Sequence, residues 1–343
     1  MLKPERATRQ VIRQLHIGLL NMMPDAALAA TERQFFRLIG ECNEVAQFYM
    51  HPFTLAELPR GPDAREHVRR FYRSLDDIQH EGLDALIITG ANITQPDLAA
   101  EPFWKPLKKV VEWASEHVTS TLCSCLTSHA VLQFRHGQKR SRLPAKRWGV
   151  FPHHVVDKSH PLVSGVNTRF DVPHSRFNDV SRQQFEAAGL KVLVESEEAG
   201  VHMAVSEDLF RIVFLQAHPE YDSNSLLKEY KREIQRYARG ECDYPPFPSH
   251  YFGLQAEAIL HEYRTVLEAE RKEWEQSSIS PEKRAIPPLP EELILPGLDN
   301  TWHDTAEAVI NNWIGKIYQL THSDRKRPFM ESVDPNNPLG LKG

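Results

Sequence analysis

Cys125 stands where a run of β-branched and small residues, Val118-Thr119-Ser120-Thr121-Leu122, gives way to a helix-length segment, with Ser124, Thr127 and Ser128 around it. That spacing predicts a nucleophile elbow, a sharp strand-to-helix turn that lifts one side chain to the carboxyl edge of a sheet. The chemistry suits a thiol. A helix N-terminus lowers a thiol pKa, and only the thiolate is a good nucleophile. The backbone N–H of Leu126 would then point at an oxyanion forming on an attacked carbonyl. The competing reading is that cysteine is a small apolar residue, among the most buried of all types. Cys123, two residues earlier, is read in that second way.

A thiol needs a base. His218-Pro219-Glu220 follows a second buried-strand pattern, residues 211–216 (RIVFLQ), and sets an imidazole and a carboxylate side by side at a strand end. With seventeen histidines in the chain, any single one is a weak candidate; the strand end, the rigid proline and the acidic partner raise His218. It would take the proton of Cys125 and then that of an attacking hydroxyl, while Glu220 orients the ring and stabilises its cation. Cys123, Cys125, His153, His154 and His174 include soft metal ligands, but no CxxC pair or HExxH helix organises them, so no metal is expected. The sequence has no dinucleotide or NTP fingerprint, and no bound cofactor is expected.

The elements that must position these groups alternate between short apolar runs and helix-length amphipathic segments, the pattern of a mostly parallel α/β sheet. Strands are expected at 16–20, 45–49, 83–89, 118–122 and 211–216. Helices are expected from Thr31-Glu32, over 104–117, over 126–134 and over about 223–238. Between 149 and 208 short strand-like pieces, clearest at 191–195 and 202–205, predict an antiparallel insertion. Beyond Gly240 come a loop with Pro245, Pro246 and Pro248, then an amphipathic helix over 254–276. Leu254, Ile259, Tyr263, Val266, Leu267 and Trp274 lie on or near one face of it. A Pro-rich connector, a last helix over about 305–320 and a tail complete the chain.

The bulk values exclude several classes. At 343 residues, 41% hydrophobic and 25% charged, the chain is an ordinary globular one with room for one large domain or two modest ones. A formal charge of −5 argues against nucleic-acid or anionic-membrane partners. Lys139-Arg140-Ser141-Arg142 is a local basic cluster that could hold a phosphorylated small molecule or be a solvated loop. Four cysteines, a charged segment over 1–13 and no membrane-length apolar run lead to an expectation of a reducing cytoplasm. Small-molecule substrates are the expected partners, with self-association into a homodimer left open.

The runs Thr119-Ser120-Thr121-Leu122 leading to Cys125, Pro173-His174-Ser175-Arg176 and His218-Pro219-Glu220-Tyr221-Asp222 resemble the homoserine O-succinyltransferase/O-acetyltransferase family of methionine biosynthesis. Leu20-Asn21-Met22-Met23-Pro24 and Leu86-Ile87-Ile88-Thr89-Gly90-Ala91 match two further family segments. The resemblance covers roughly residues 15–240, and more loosely 302–324. It implies a class I glutamine amidotransferase-like (flavodoxin-like) fold, with a domain over 1–240 and a helical extension over 241–343 packed on it, including a Pro-rich connector at 280–298. It implies acyl-CoA as cosubstrate and an acyl-thioester on Cys125, with His218 as general base and Glu220 beside it. Lys146, Ser175 and Arg232 fall on the substrate-binding positions, and Leu126 with Ala91 would supply the oxyanion amides. Thr94 falls on the acyl-selecting position, where succinyl enzymes carry Gly and acetyl enzymes Glu; uncharged and of moderate bulk, it leans towards succinyl. Two departures stand out: the segment after Met23-Pro24 is Asp25-Ala26-Ala27-Leu28 where the family is often basic, and residues 250–298 look added. An acceptor other than homoserine, a Cys-His-Glu glutamine amidohydrolase and a non-enzymatic relative remain as alternatives.

Overall fold

The computed structural model describes residues 14–43, 46–277, 280 and 283–342. The charged segment 1–13 and the start of the strand expected from Val45 lie outside them. In chain order the elements are β1 (Gln14–Leu20), α1 (Asp25–Glu41), β2 (Gln47–Phe53), α2 (Pro62–Phe71), α3 (Leu75–Glu81), β3 (Ala85–Ile88), α4 (Trp104–His117), β4 (Ser120–Ser124) and α5 (Leu126–His136). They continue with β5 (Ser141–Val155), β6 (Arg169–Asp179), α6 (Arg182–Ala187), β7 (Lys191–Ser196), β8 (Gly200–Val205), β9 (Ile212–Leu215), α7 (Ser225–Arg239), α8 (Leu254–Gln276), α9 (Glu291–Ile294) and α10 (His303–Leu320).

One sheet runs through the molecule in the order β2-β1-β3-β4-β9-β8-β7-β5-β6. The strands from β2 to β9 pair in parallel, and those from β9 to β6 antiparallel. This is the expected mixed α/β fold with an antiparallel insertion. β3 and β9 are buried at every residue, because parallel strands carry helices on both faces. Alternate residues accordingly enter different cores. Leu20, Leu86, Ile88, Cys123 and Phe214 pack with Leu107, Val110 and Val111 of α4 and Ala130 and Val131 of α5. Ile17, Leu19, Ile87, Leu122 and Val213 pack on the other face with Phe35 and Leu38 of α1 and Ile310, Trp313 and Ile317 of α10.

Several boundaries differ from the sequence reading. β5 begins at Ser141, well before the expected 149. Its register against β6 breaks between Arg142 and Arg147, so Pro144, Ala145 and Lys146 leave the ladder in a bulge. A proline inside a charged run hides such a strand. α2 was not anticipated because it buries only Ala64 and has no stripe to read. On α8 the buried face is Ala256, Leu260, Tyr263, Leu267 and Trp274, while Leu254 and Val266 are exposed.

The C-terminal residues share the core of the sheet. Trp313 of α10 is fully buried, and its indole N–H donates to Ser120 Oγ at 2.8 Å, at the start of the strand that leads to Cys125. After α10, Thr119 Oγ1 donates to the carbonyl of Pro328 and Met330 N–H to that of Leu320. Among the described residues, no helix is long and apolar enough to cross a membrane.

Candidate active site

Cys125 is the residue between β4 and α5, and its backbone (φ 50°, ψ −110°) lies in a region that non-glycine residues avoid. Such a conformation costs on the order of 1–3 kcal/mol and persists only where its surroundings over-determine it. Here they do. Cys125 N–H donates to the Leu215 carbonyl at 2.7 Å. Thr127 Oγ1 donates to the Thr89 carbonyl at 2.7 Å, and Ser128 Oγ reaches the carbonyls of Cys123 (2.7 Å) and Leu215 (3.0 Å). At about 0.5–1.5 kcal/mol net each, these bonds match the strain. The small hydroxyl residues around Cys125 are therefore the braces of the elbow.

The turn after β3 faces the same point. A Cβ built on Gly90 would lie 3.7 Å from Cys125 Cβ and 3.9 Å from the amide nitrogen of Leu126. Glycine thus keeps open the space in front of the thiol, with Leu126 and the Gly90-Ala91 turn around it.

β9 leads into the expected base. His218 N–H is fixed by the Pro173 carbonyl at 2.9 Å, and its Nδ1 is 2.8 Å from Glu220 Oε1. With Nδ1–H donating to the carboxylate, Nε2 is left for the thiol, and the ring hydrogen-bonds Cys125. Tyr221 stacks on the imidazole at 4.4 Å between centroids. Burial works against charge on His218, but Glu220 and Cys125 outweigh it and hold the imidazole well above its ordinary pKa. Burial likewise pushes the Cys125 thiol up, yet the charge and hydrogen bond of His218, with the charge of Arg176, bring it below its usual value. Both shifts favour the thiolate and imidazolium forms of the pair.

Cys123 shows what burial does without an imidazole partner: against the lowering charge of Arg135, its thiol is pushed up to about 12. A helix N-terminus contributes at most about 1 kcal/mol at an ordinary site, less than one pKa unit. That is too little to reverse burial, so the ion pair with His218 accounts for most of the activation.

Of the expected substrate-binding residues, two converge. Lys146 Nζ is 2.8 Å from Glu229 Oε2, Ser175 Oγ donates to the same oxygen at 2.6 Å, and Tyr221 OH donates to Glu229 Oε1 at 2.9 Å. The β5 bulge lets Lys146 leave its strand and reach α7, with its ammonium 4.1 Å from the Trp148 ring centroid. Arg232 is not drawn in. It lies one turn beyond Glu229, its side chain 56% exposed and 3.6 Å from Glu233. Thr94 is exposed, and its amide and hydroxyl are both held by the buried carboxylate of Glu101.

Sequence reasoning missed Glu229, Glu101 and Arg176. Arg176 is buried and held by Asp179 Oδ1 and the Ala199 carbonyl, each at 2.7 Å, and by His174. His174 joins His153 at 3.0 Å, and His153 Nδ1 donates to the Phe151 carbonyl. Burial pushes His153 down to about 4, so this chain is a neutral structural one. Among the described residues the only metal-compatible group is Glu41, His303 and Glu307, which includes none of the residues weighed for zinc.

The buried Glu229–Lys146 pair has a measurable weight. Removing one partner of a buried pair destabilises by about 3 kcal/mol or more, because the other charge is left without compensation. Glu229→Ala should show this loss in urea unfolding, and Lys146→Met added to it should restore part. Equal stability of wild type and Glu229→Ala would show that the hub holds nothing.

A family model described as homoserine O-succinyltransferase matches residues 1–323. The chain belongs to the homoserine O-succinyltransferase family. It is 68% identical to a Nitrosococcus oceani protein of that name over 338 residues, 98% of this chain and 92% of the relative. An Allochromatium vinosum homoserine O-succinyltransferase is 66% identical over 342 residues, 99% of this chain and 93% of that one. A glutamine amidotransferase structure from Methylobacillus flagellatus is 12% identical, with a TM-score of 0.45, over 89% of this chain and 95% of that one.

Proposed function

We propose that the chain moves a succinyl group from succinyl-CoA, through a thioester on Cys125, to the hydroxyl of homoserine. The observation that carries the reading is the Cys125–His218–Glu220 line at two adjacent strand ends, in a chain of this family. The Cys125 thiolate attacks the thioester carbonyl, and the amides of Leu126 and Ala91 stabilise the oxyanion. The carbon–sulfur bond to CoA breaks, and CoA leaves with the proton of the His218 imidazolium. The homoserine hydroxyl then gives its proton to neutral His218 and attacks the acyl-cysteine. Ester forms, and the thiolate–imidazolium pair is restored. Arg232 offers an exposed fork for the acceptor carboxylate, and Lys146 and Ser175 meet its remaining polar groups.

Intact-mass measurement tests this reading. Mixing with succinyl-CoA should add one succinyl group, which homoserine then removes. A protein that stays unmodified by either CoA thioester but hydrolyses glutamine would be an amidohydrolase.

Donor choice is tested at Thr94. Thr94→Glu places a second carboxylate beside Glu101, where it would repel the free carboxylate of a succinyl group. A like-charge contact worth about 1.4 kcal/mol lowers the succinyl-to-acetyl ratio of kcat/KM about tenfold. An unchanged ratio in competitive turnover would remove Thr94 from the acyl pocket.

A further inference from the structure

Tyr221 follows Glu220 in the chain and belongs to two parts of the site at once. Its N–H donates to the His218 carbonyl at 3.2 Å, closing a turn whose second residue is Pro219, the position that proline's fixed φ suits. The turn folds the phenol back over the imidazole, with the ring centroids 4.4 Å apart and the planes 17° from parallel. At its other end the hydroxyl donates to Glu229 Oε1 at 2.9 Å, on the carboxylate whose Oε2 takes Ser175 Oγ and Lys146 Nζ. One side chain thus bridges the expected base and the hub that gathers two of the expected substrate-binding residues.

Both ends of this bridge are fixed. Burial and the charges of Glu229 and Glu220 hold the phenol well above its ordinary pKa, so the hydroxyl keeps the proton it donates. Burial pushes the Glu229 carboxyl up, but the charge and hydrogen bond of Lys146, with the hydroxyls of Ser175 and Tyr221, bring it below its usual value. The oxygen that accepts from Tyr221 therefore belongs to a carboxylate, and such hydrogen bonds are about twice as strong as neutral ones. On the main chain, the buried indole of Trp302 donates to the Tyr221 carbonyl at 2.9 Å. Packing alone does not fix the ring. Tyr221 is partly exposed, and with Glu220 it lines a cavity of about 190 Å³, so its hydrogen bonds carry that task.

We propose that Tyr221 is a positioning residue that holds the plane of the His218 imidazole and ties it to acceptor binding through Glu229. The Glu220 bond fixes one ring atom, Nδ1, and leaves the tilt of the plane to other contacts. A flat partner at stacking distance opposes the tilt and favours an imidazolium over its face. The inference rests on the proposed transfer to homoserine. In the first half of that reaction no acceptor is present, and the stack alone positions the base. In the second half the acceptor engages Lys146 and Ser175, both of which bond Glu229 Oε2 before it arrives. Oε1 stays on the phenol, so the imidazole keeps its aim while those contacts are exchanged. Without the hydroxyl, hub and base move independently.

The test separates the two halves of the reaction and the two ends of the side chain. Tyr221→Phe keeps the ring and removes the hydroxyl. Succinyl-CoA should acylate its Cys125 at the wild-type rate in single turnover, and its iodoacetamide alkylation profile with pH should match the wild type. Discharge of the acyl-enzyme by homoserine should slow about 10- to 100-fold, the weight of a hydrogen bond to a charged group. Tyr221→Leu removes the ring as well, so both halves should slow and the alkylation profile should move towards alkaline pH. If Tyr221→Leu does not fold, Tyr221→Met is scored by the same profile. Discharge of Tyr221→Phe at the wild-type rate would overturn the tie to the acceptor. Equal slowing of both halves in Tyr221→Phe, with the same loss of urea stability as Tyr221→Leu, would show a residue that only packs. Alkylation needs no substrate, so profiles that superimpose for wild type and Tyr221→Leu would overturn the positioning role whatever the enzyme transfers. A wild-type protein whose Cys125 takes no acyl group from succinyl-CoA would instead remove the reading on which the acceptor tie rests.

Discussion

Cys125→Ser should carry no acyl group after mixing with succinyl-CoA, and turnover should fall to background, while Cys123→Ser should acylate as the wild type does. The two thiols are separated by one residue and by opposite environments. Cys123 points into the core with α4 and α5, and burial pushes it up to about 12, so at neutral pH it is a thiol without a base. Cys125 sits on the braced turn against His218, whose charge and hydrogen bond lower its pKa. Serine at 125 would keep the hydrogen bonds of the elbow, but a hydroxyl is far harder to ionise than a thiol, and the ion pair is lost. Mass spectrometry of the digested acyl-enzyme decides the matter. An adduct mapped to Cys123 would place the nucleophile on the wrong side of the turn.

What the sequence made legible follows from the range of the interactions. Cys125, His218 and Glu220 were readable because each lies at the end of a strand whose apolar pattern is local. The chemistry of a strand end does not depend on knowing the neighbouring strands. Lys146 and Ser175 carried no such signal, and only the family resemblance singled them out. Their meaning lies in Glu229, an acidic residue beside the buried stripe Leu226, Tyr230 and Ile234 that reads as helix surface until the β5 bulge brings Lys146 to it. Arg176 was visible in the run Pro173-His174-Ser175-Arg176, but its role as a buried cation near the thiol depends on Asp179, Ala199 and His174 closing around it. The relative weight of the two sources of thiol activation, the helix N-terminus and His218, was not legible in the same way. The helix N-terminus is evident from the sequence, whereas the imidazolium that outweighs it comes from a strand some ninety residues away.

His218→Ala should shift the reactivity of Cys125 towards alkaline pH and depress both halves of the transfer. In the wild type the thiol pKa is lowered and the imidazole pKa raised, so thiolate and imidazolium coexist between the two values of the coupled pair. As pH falls through the lower value the thiolate is protonated and alkylation slows. As pH rises through the upper value the imidazolium loses its proton, but the thiolate remains. Alkylation by iodoacetamide should therefore persist to lower pH than for an ordinary thiol. Without His218 the thiol keeps the burial that raises its pKa and loses the charge and hydrogen bond that lowered it. Its reactivity should then climb steadily into the alkaline range. Acyl transfer should fall on the order of 10²–10⁴-fold, the usual weight of a general base. Glu220→Gln should lie between the two. Its amide oxygen can still accept from His218 Nδ1, so the ring stays oriented, but the negative charge that holds the imidazolium is gone. The apparent thiol pKa should thus rise in the order wild type, Glu220→Gln, His218→Ala. Profiles that superimpose for wild type and His218→Ala would show that another group holds the thiolate, and the dyad would leave the mechanism.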